Sequence, residues 1–414
     1  MAKLSRRWYP KSATADSRRL LTTRSMRGFA DGLVSVLLPS YLLALGFSST
    51  QVGVVVFGTL FGSAALTLWV GLTSHRIGRK PVLLAAAALM FATGIGFGFA
   101  RGFWMIFAVA IIGTLNPSAG DVSLFLPVEQ ASLAETIDPS DLTAAFAIYN
   151  VGGAFAGAFG ALASGLPTMF VKRLRWTLAG AYRSGFFVYS AIAVIAAILY
   201  ASLSPEIEAA PSAPARRPLE RSRAIVLKLS ALFSLDSFGG GFTVQSLLAL
   251  WLFKRFDMSV AAAGSFFFFA GLCGALSQFA SSLIAARFGR INTMVFTHLP
   301  ANACLILAGI VPNLHLVIAL LLLRALLSSM DVPARQSYVM AVVPPEERAA
   351  AAGVTNVPRG LASAFSPLPA GLMLDYSVFG WPLICAGSLK LIYDLLLLRQ
   401  FRHVLPPDEQ SAAS

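Results

Sequence analysis

The chain has 414 residues, 57% of them hydrophobic and 12% charged, with a formal net charge of +13. A soluble domain carries about 25% charged residues, and its helices show a polar face at helical spacing. Stretches such as 188–203 and 314–323 show almost none, so a soluble fold is excluded. The basic excess falls in short segments between apolar runs, which argues for membrane topology and against nucleic acid as a partner.

The first 27 residues hold eight Lys or Arg and lack the apolar region and cleavage site of a signal peptide. Residues 1–26 therefore read as a basic, partly disordered cytoplasmic tail able to touch anionic lipid. Apolar runs near the ~20 residues that cross the hydrocarbon follow at 27–45, 51–73, 81–100, 103–129, 142–166 and 184–203. They form an N-terminal six-helix bundle over 27–203. Residues 204–223, rich in Pro, Ala, Glu and Arg, read as a cytoplasmic linker. Six more runs, at 224–250, 260–286, 291–310, 314–340, 349–374 and 381–398, form a C-terminal bundle over 224–399, and 400–414 is a cytoplasmic tail. The predicted fold class is an all-α polytopic membrane protein of twelve transmembrane helices in two pseudo-symmetric six-helix bundles.

Twelve passes put both termini on one side. With the termini cytoplasmic, inner segments hold 21 Lys or Arg and outer segments seven, as the positive-inside tendency requires. Segment 172–183 breaks that tendency locally, and its charges fit a gate, a surface helix or a tolerated exception equally.

The two halves repeat. Asp31 recurs as Asp236, and the turn Arg76-Ile77-Gly78-Arg79 recurs as Arg287-Phe288-Gly289-Arg290. Asp121 and Glu129, with Pro127 between them, are echoed by Asp331, Pro333 and Arg335. Duplicated six-helix units are a common plan of alternating-access transporters.

With these residues in place the chain resembles the major facilitator superfamily over nearly its whole length. Gly71, Arg76, Gly78, Arg79 and Lys80 match that family's loop between helices 2 and 3, whereas His75 stands where an acid is usual. The second copy keeps Arg287, Gly289 and Arg290 but has Ser282 and Ala286 for Gly and Asp. The resemblance implies a cytoplasmic latch at this loop, with His75 able to hydrogen-bond or to carry charge only when protonated. It also implies that helices 1, 4, 7 and 10 line the central path. The family's drug–proton antiport motif in helix 5 ends in Gly-Pro, whereas Gly160 here precedes Ala161.

Charges inside spans are costly, so they face a cavity or a partner. Asp31, Asp121, Asp236 and Asp331 are the candidates for proton coupling. Asp31 lies four residues after Arg27 and can alternatively pair with it. Glu129 and Arg335 are candidates for a gate between the halves, and Asp331 and Arg335 can pair along one helix. Lys390 is expected to pair with Asp394, four residues on. Arg324, Arg359, Gln245 and Asn356 are the candidate substrate-cavity residues. An arginine with no acid in its own helix can take a carboxylate or phosphate.

These residues point to secondary active transport of a small solute in the inner membrane of a bacterium. The expected mode is proton-coupled export of an organic anion or amphipathic compound by a monomer. A proton-coupled uptake symporter, an uncoupled facilitator and a membrane solute sensor are the alternatives. No metal-ligand, nucleophile or phosphate-loop pattern stands out, so neither an enzyme nor a cofactor is expected.

Overall fold

The computed structural model describes residues 12–118, 123–138, 141–208, 219–344, 347–404 and 406. The described residues form seventeen α-helices and no strand: α1 (Ala15–Ala44), α2 (Ser49–Ile77), α3 (Arg79–Phe99), α4 (Phe103–Ile112), α5 (Leu126–Glu135), α6 (Leu142–Ala163), α7 (Leu166–Leu174), α8 (Leu178–Ala201), α9 (Arg223–Gly241), α10 (Gln245–Phe256), α11 (Val260–Phe288), α12 (Arg290–Ile310), α13 (Leu314–Ser328), α14 (Asp331–Val342), α15 (Arg348–Phe365), α16 (Pro367–Tyr376) and α17 (Trp381–Phe401). Four passes are each built from two helices, α4–α5, α9–α10, α13–α14 and α15–α16. With the short α7 set aside, the chain makes twelve passes in two bundles.

The broken passes differ from the continuous spans expected. Gly239-Gly240-Gly241 leads into the break before α10, and Pro367 and Pro369 open α16 after the break at Ser366. Glycine destabilises a helix interior and proline removes a helix hydrogen bond. Nine segments among the described residues are long and apolar enough to cross a membrane on hydropathy alone. The three passes outside that set carry charge in their interiors: α1 with Arg24, Arg27 and Asp31, α4–α5 with Glu129, and α15–α16 with Arg359 and its prolines.

The first helix starts at Ala15, not at 27 as the tail assignment expected. Thr14 Oγ1 caps it by accepting from Ser17 N at 3.2 Å, and Asp16 in the first turn pairs with Arg19 at 2.7 Å. Asp16 also accepts from Ser204 N at 3.1 Å, which ties the helix start to the end of the sixth pass. Charge at 16–24 stops a hydropathy reading but not a helix whose polar groups are partnered. The middle of the linker, 209–218, lies outside the described residues.

Within the first bundle α1 and α6 touch backbone to backbone. A Cβ on Gly28 would sit 2.4 Å from Gly153 O, and one on Gly32 would sit 1.9 Å from Gly157 O. Small residues at four-residue spacing are how membrane helices approach this closely. Gly78 and Gly289, at φ 91° and 82°, form the same left-handed turn between the second and third passes of each half, a conformation that favours glycine.

The halves meet through α2 with α15 and α16, α6 with α11, and α1 with α10. These contacts lie toward the side remote from the termini. Gly53 faces Gly371, a Cβ on Gly264 would lie 2.4 Å from Ala161 O, and Phe57 and Phe61 pack on Phe365. On the terminus side α5 and α14 pack within their own halves.

Candidate transport site and gate

In the first half, a single carboxylate is held by nearly everything around it. Glu129 of α5 is fully buried and forms an ion pair with Arg27 of α1. The same carboxylate accepts from Thr23 Oγ1 at 2.9 Å, from Tyr149 OH at 2.5 Å and from Tyr200 OH. Arg27 also donates to Ser123 Oγ at 3.2 Å, and its guanidinium lies 4.1 Å from the centre of the Phe125 ring. Asp31, one turn along α1, is buried but makes no hydrogen bond or ion pair among the described residues. Arg27, its expected helix partner, is committed to Glu129. Asp121 lies outside the described residues.

In the second half the charges form a chain. Lys390 Nζ of α17 lies 2.6 Å from Asp236 Oδ1 of α9, and Arg335 Nη1 of α14 lies 3.5 Å from Asp236 Oδ2 and 3.0 Å from Asp331 Oδ2. All four side chains are buried. Asp331 Oδ1 has no partner among the described residues. Asp236, Asp331 and Arg335 thus come together, and Lys390 joins them. The expected Lys390–Asp394 pair is not formed: Asp394 instead holds His298 Nδ1 at 2.9 Å and accepts from Asn302 Nδ2 at 2.9 Å. The expected Glu129–Arg335 contact is not formed either, because each has been neutralised inside its own half.

Two arginines stand apart from this chain. Arg359 Nε donates to Ser237 Oγ at 2.8 Å, and it makes no ion pair among the described residues. Arg324 is half-buried, and its buried Nε has no partner among the described residues. Gln245 is half-buried at the start of α10, and Asn356 is exposed one turn before Arg359. The side chains of Gly71, His75 and Arg76 lie outside the described residues.

The described part of the loop after α2 engages its own half. Arg79 Nη1 donates to Ile207 O at 2.7 Å, Arg79 Nη2 lies 3.3 Å from Glu135, and Lys80 Nζ donates to Leu203 O at 2.7 Å. Glu208 accepts the backbone N–H groups of Arg79 and Lys80 at 2.7 and 3.0 Å. In the second half Arg287 is exposed and Arg290 Nε donates to Ser337 Oγ at 3.1 Å.

The firm contact between halves is on the far side. Asp375, at the end of α16, accepts from Ser49 N and Thr50 N at 2.8 Å each, at the first turn of α2. Lys254 of α10 bridges it, donating to Ser49 Oγ at 2.8 Å and to Leu374 O at 2.6 Å. A carboxylate on a helix N-terminus is favoured by the free N–H groups and the helix dipole. Ser246 adds a second link, donating to Ser35 O at 2.6 Å and to Pro117 O at 3.0 Å. Sequence reading missed this seam. The Ser48-Ser49-Thr50 run signals a helix start, but nothing in the sequence says which acid sits on it.

Two helical bundles, polar groups at the breaks of their helices and a seam on one side only define a membrane transporter of solutes. The chain belongs to the Major Facilitator Superfamily, whose sequence model matches residues 20–367 and, in an overlapping second match, 237–413. It is 27% identical over 425 aligned residues to an uncharacterized membrane protein of Saccharomyces cerevisiae, covering 94% of this chain and 95% of that one. It is 31% identical over 114 residues to a D-xylose transporter of Levilactobacillus brevis, covering 28% of this chain and 24% of that protein. Among solved structures it is similar to a point mutant of the nucleoside transporter NupG at TM-score 0.71 and 14% identity, covering 93% of this chain and 100% of that one. A D-xylose–proton symporter is similar at TM-score 0.70 and 16% identity, with 92% and 97% covered.

Proposed function

We propose that this chain exports a small organic anion in exchange for protons, by alternating access about a site between the two halves. One observation carries the reading. After internal pairing, each half keeps unlike uncompensated charge: the carboxylate of Asp31 in the first, the guanidinium groups of Arg324 and Arg359 in the second. A buried carboxylate with no cation is favoured to take a proton. An arginine fork left open is suited to a carboxylate or phosphate. Asp31 is the proton acceptor in this scheme, and the two arginines grip the solute. Glu129 and Arg27 hold the first bundle rigid. With both termini cytoplasmic, the state described is closed outward and open inward, and the Asp375–Lys254 seam must part when the site turns outward. In a bacterium the membrane would be the inner one.

Solute-driven proton movement in proteoliposomes, read with a pH dye, tests the scheme. Organic anions should move protons outward-to-inward in exchange, Asp31→Asn should abolish that movement, and Arg359→Gln should raise the half-saturating anion concentration roughly tenfold. Anion transport unchanged in Arg359→Gln would sink the anion assignment. Proton-coupled uptake of a sugar-like solute is the second reading, favoured by the 31% identity over 114 residues to a D-xylose transporter. Co-movement of protons with a neutral solute would select it.

A further inference from the structure

The buried pair His298–Asp394 is used by none of the roles above. It lies between α12 and α17, with Asp394 fully buried and His298 nearly so. His298 Nδ1 is 2.9 Å from Asp394 Oδ1, and Nε2 has no hydrogen-bond partner among the described residues. An Nδ1–H donated to the carboxylate leaves Nε2 as a free acceptor.

Charge counting singles this pair out. The neighbouring buried chain holds Asp236, Asp331 and Asp394 against Lys390 and Arg335, so it is one positive charge short when His298 is neutral. Around the pair stand Asp236 from α9, Lys390 and Tyr393 from α17, Asp331 and Arg335 from α14, Asn302 on its own helix, and Arg324 from α13 and Arg359 from α15 farther out. Histidine alone among these has an ordinary pKa near neutrality.

The position of Lys390 supplies a second state. It is four residues before Asp394, so the two share a helix face and can pair, yet in the structure Lys390 pairs with Asp236 at 2.6 Å. We propose that the His298–Asp394 pair is a proton-binding site, and that its occupancy decides whether Lys390 holds Asp236 or Asp394. A proton added at Nε2 makes an imidazolium that satisfies Asp394 and leaves Lys390 to Asp236, the arrangement seen. Loss of that proton leaves Asp394 without a cation, draws Lys390 back one turn and frees Asp236, which touches the α14 charges beside the arginines. The pair is then a second coupling site, in the second half, for the proton-driven reading above, on which only its link to transport rests.

The test needs no solute. Proton uptake by detergent-purified protein in weakly buffered solution is measured as pH is stepped from 8 to 5. His298→Gln keeps an amide near Asp394 but cannot titrate. It is expected to take up about one proton fewer than wild type, as is His315→Gln, which removes an exposed histidine and calibrates the method. Uptake by His298→Gln that superimposes on wild type overturns the proposal. If that variant is not recovered monodisperse, Asp394→Asn gives the same comparison, and unchanged uptake there overturns it equally. In proteoliposomes, flux by His298→Gln should vary less than roughly twofold over pH 6–8 while wild type varies at least about fivefold; equal pH profiles would remove the transport link. Failure of Asp31→Asn to affect proton flux would instead strike the primary scheme and leave the uptake result standing.

Discussion

The two halves solve the same problem, buried charge in a membrane bundle, in opposite ways. The first half closes one carboxylate completely: Glu129 has Arg27, a threonine and two tyrosines, and nothing is shared. The second half strings Lys390, Asp236, Arg335 and Asp331 into a chain in which inner members have two partners. A closed centre suits a scaffold, because breaking it leaves a charge with no substitute. A chain suits a moving part, because a member that loses one partner can keep another.

The largest expected effect breaks the closed centre. Arg27→Leu leaves Glu129 buried and unpaired and should cost about 3–5 kcal/mol of stability, seen as a large drop in thermal unfolding midpoint in detergent. Arg27→Leu combined with Glu129→Leu should recover much of the loss, and a double variant no better than the single one would contradict the account. Asp236→Asn should cost less, about 1–3 kcal/mol, because Arg335 keeps Asp331. Equal losses in Arg27→Leu and Asp236→Asn would erase the difference between the halves.

Asp375→Asn should leave the bundles stable but loosen the seam between them. Losing a charged acceptor for two N–H groups and Lys254 is worth about 1.4 kcal/mol, a tenfold shift toward the state open on the far side. Spin labels at the exposed positions Arg101 and Val378 should report a longer far-side distance; an unchanged distance distribution would remove Asp375 from the gate.

The smallest effect concerns Glu347, outside the membrane-spanning segments. It accepts from Ser222 Oγ, from Arg221 N at 2.9 Å, from Ser222 N at 3.1 Å and from Glu220 N at 3.2 Å, fastening the start of α9. The Ser222 hydroxyl first, then the Arg221 N–H, hold its carboxyl down at about 2, below the ordinary 4.5. A depressed folded value means the contribution is complete above the ordinary value and is lost as pH falls toward about 2. Glu347→Gln should therefore be slightly less stable than wild type at pH 7, with the gap closing between about pH 4.5 and 2; a gap that persists at the acid end would refute the assignment.

Much of this was legible without coordinates. Continuous apolar length fixed the all-α membrane class, because the hydrocarbon tolerates little else. The paired turns at Gly78 and Gly289 showed the duplication, and Asp331 and Arg335 paired as their four-residue spacing implied. Local spacing failed where partners compete. Lys390 had an acid one turn away in Asp394 and took Asp236 from another helix, while Arg27 passed over Asp31 for Glu129. Helix periodicity says which groups can meet on one cylinder. Which cylinder brings the stronger or less solvated partner is decided by packing, and so is the choice of Asp375 to cap α2 from the other half. The sequence by itself determined the membrane class, the duplication and the cast of buried charges. Only the tertiary structure decided their pairing, because low dielectric makes every unpaired charge strongly unfavourable and the most stable set of pairs is a property of the whole bundle.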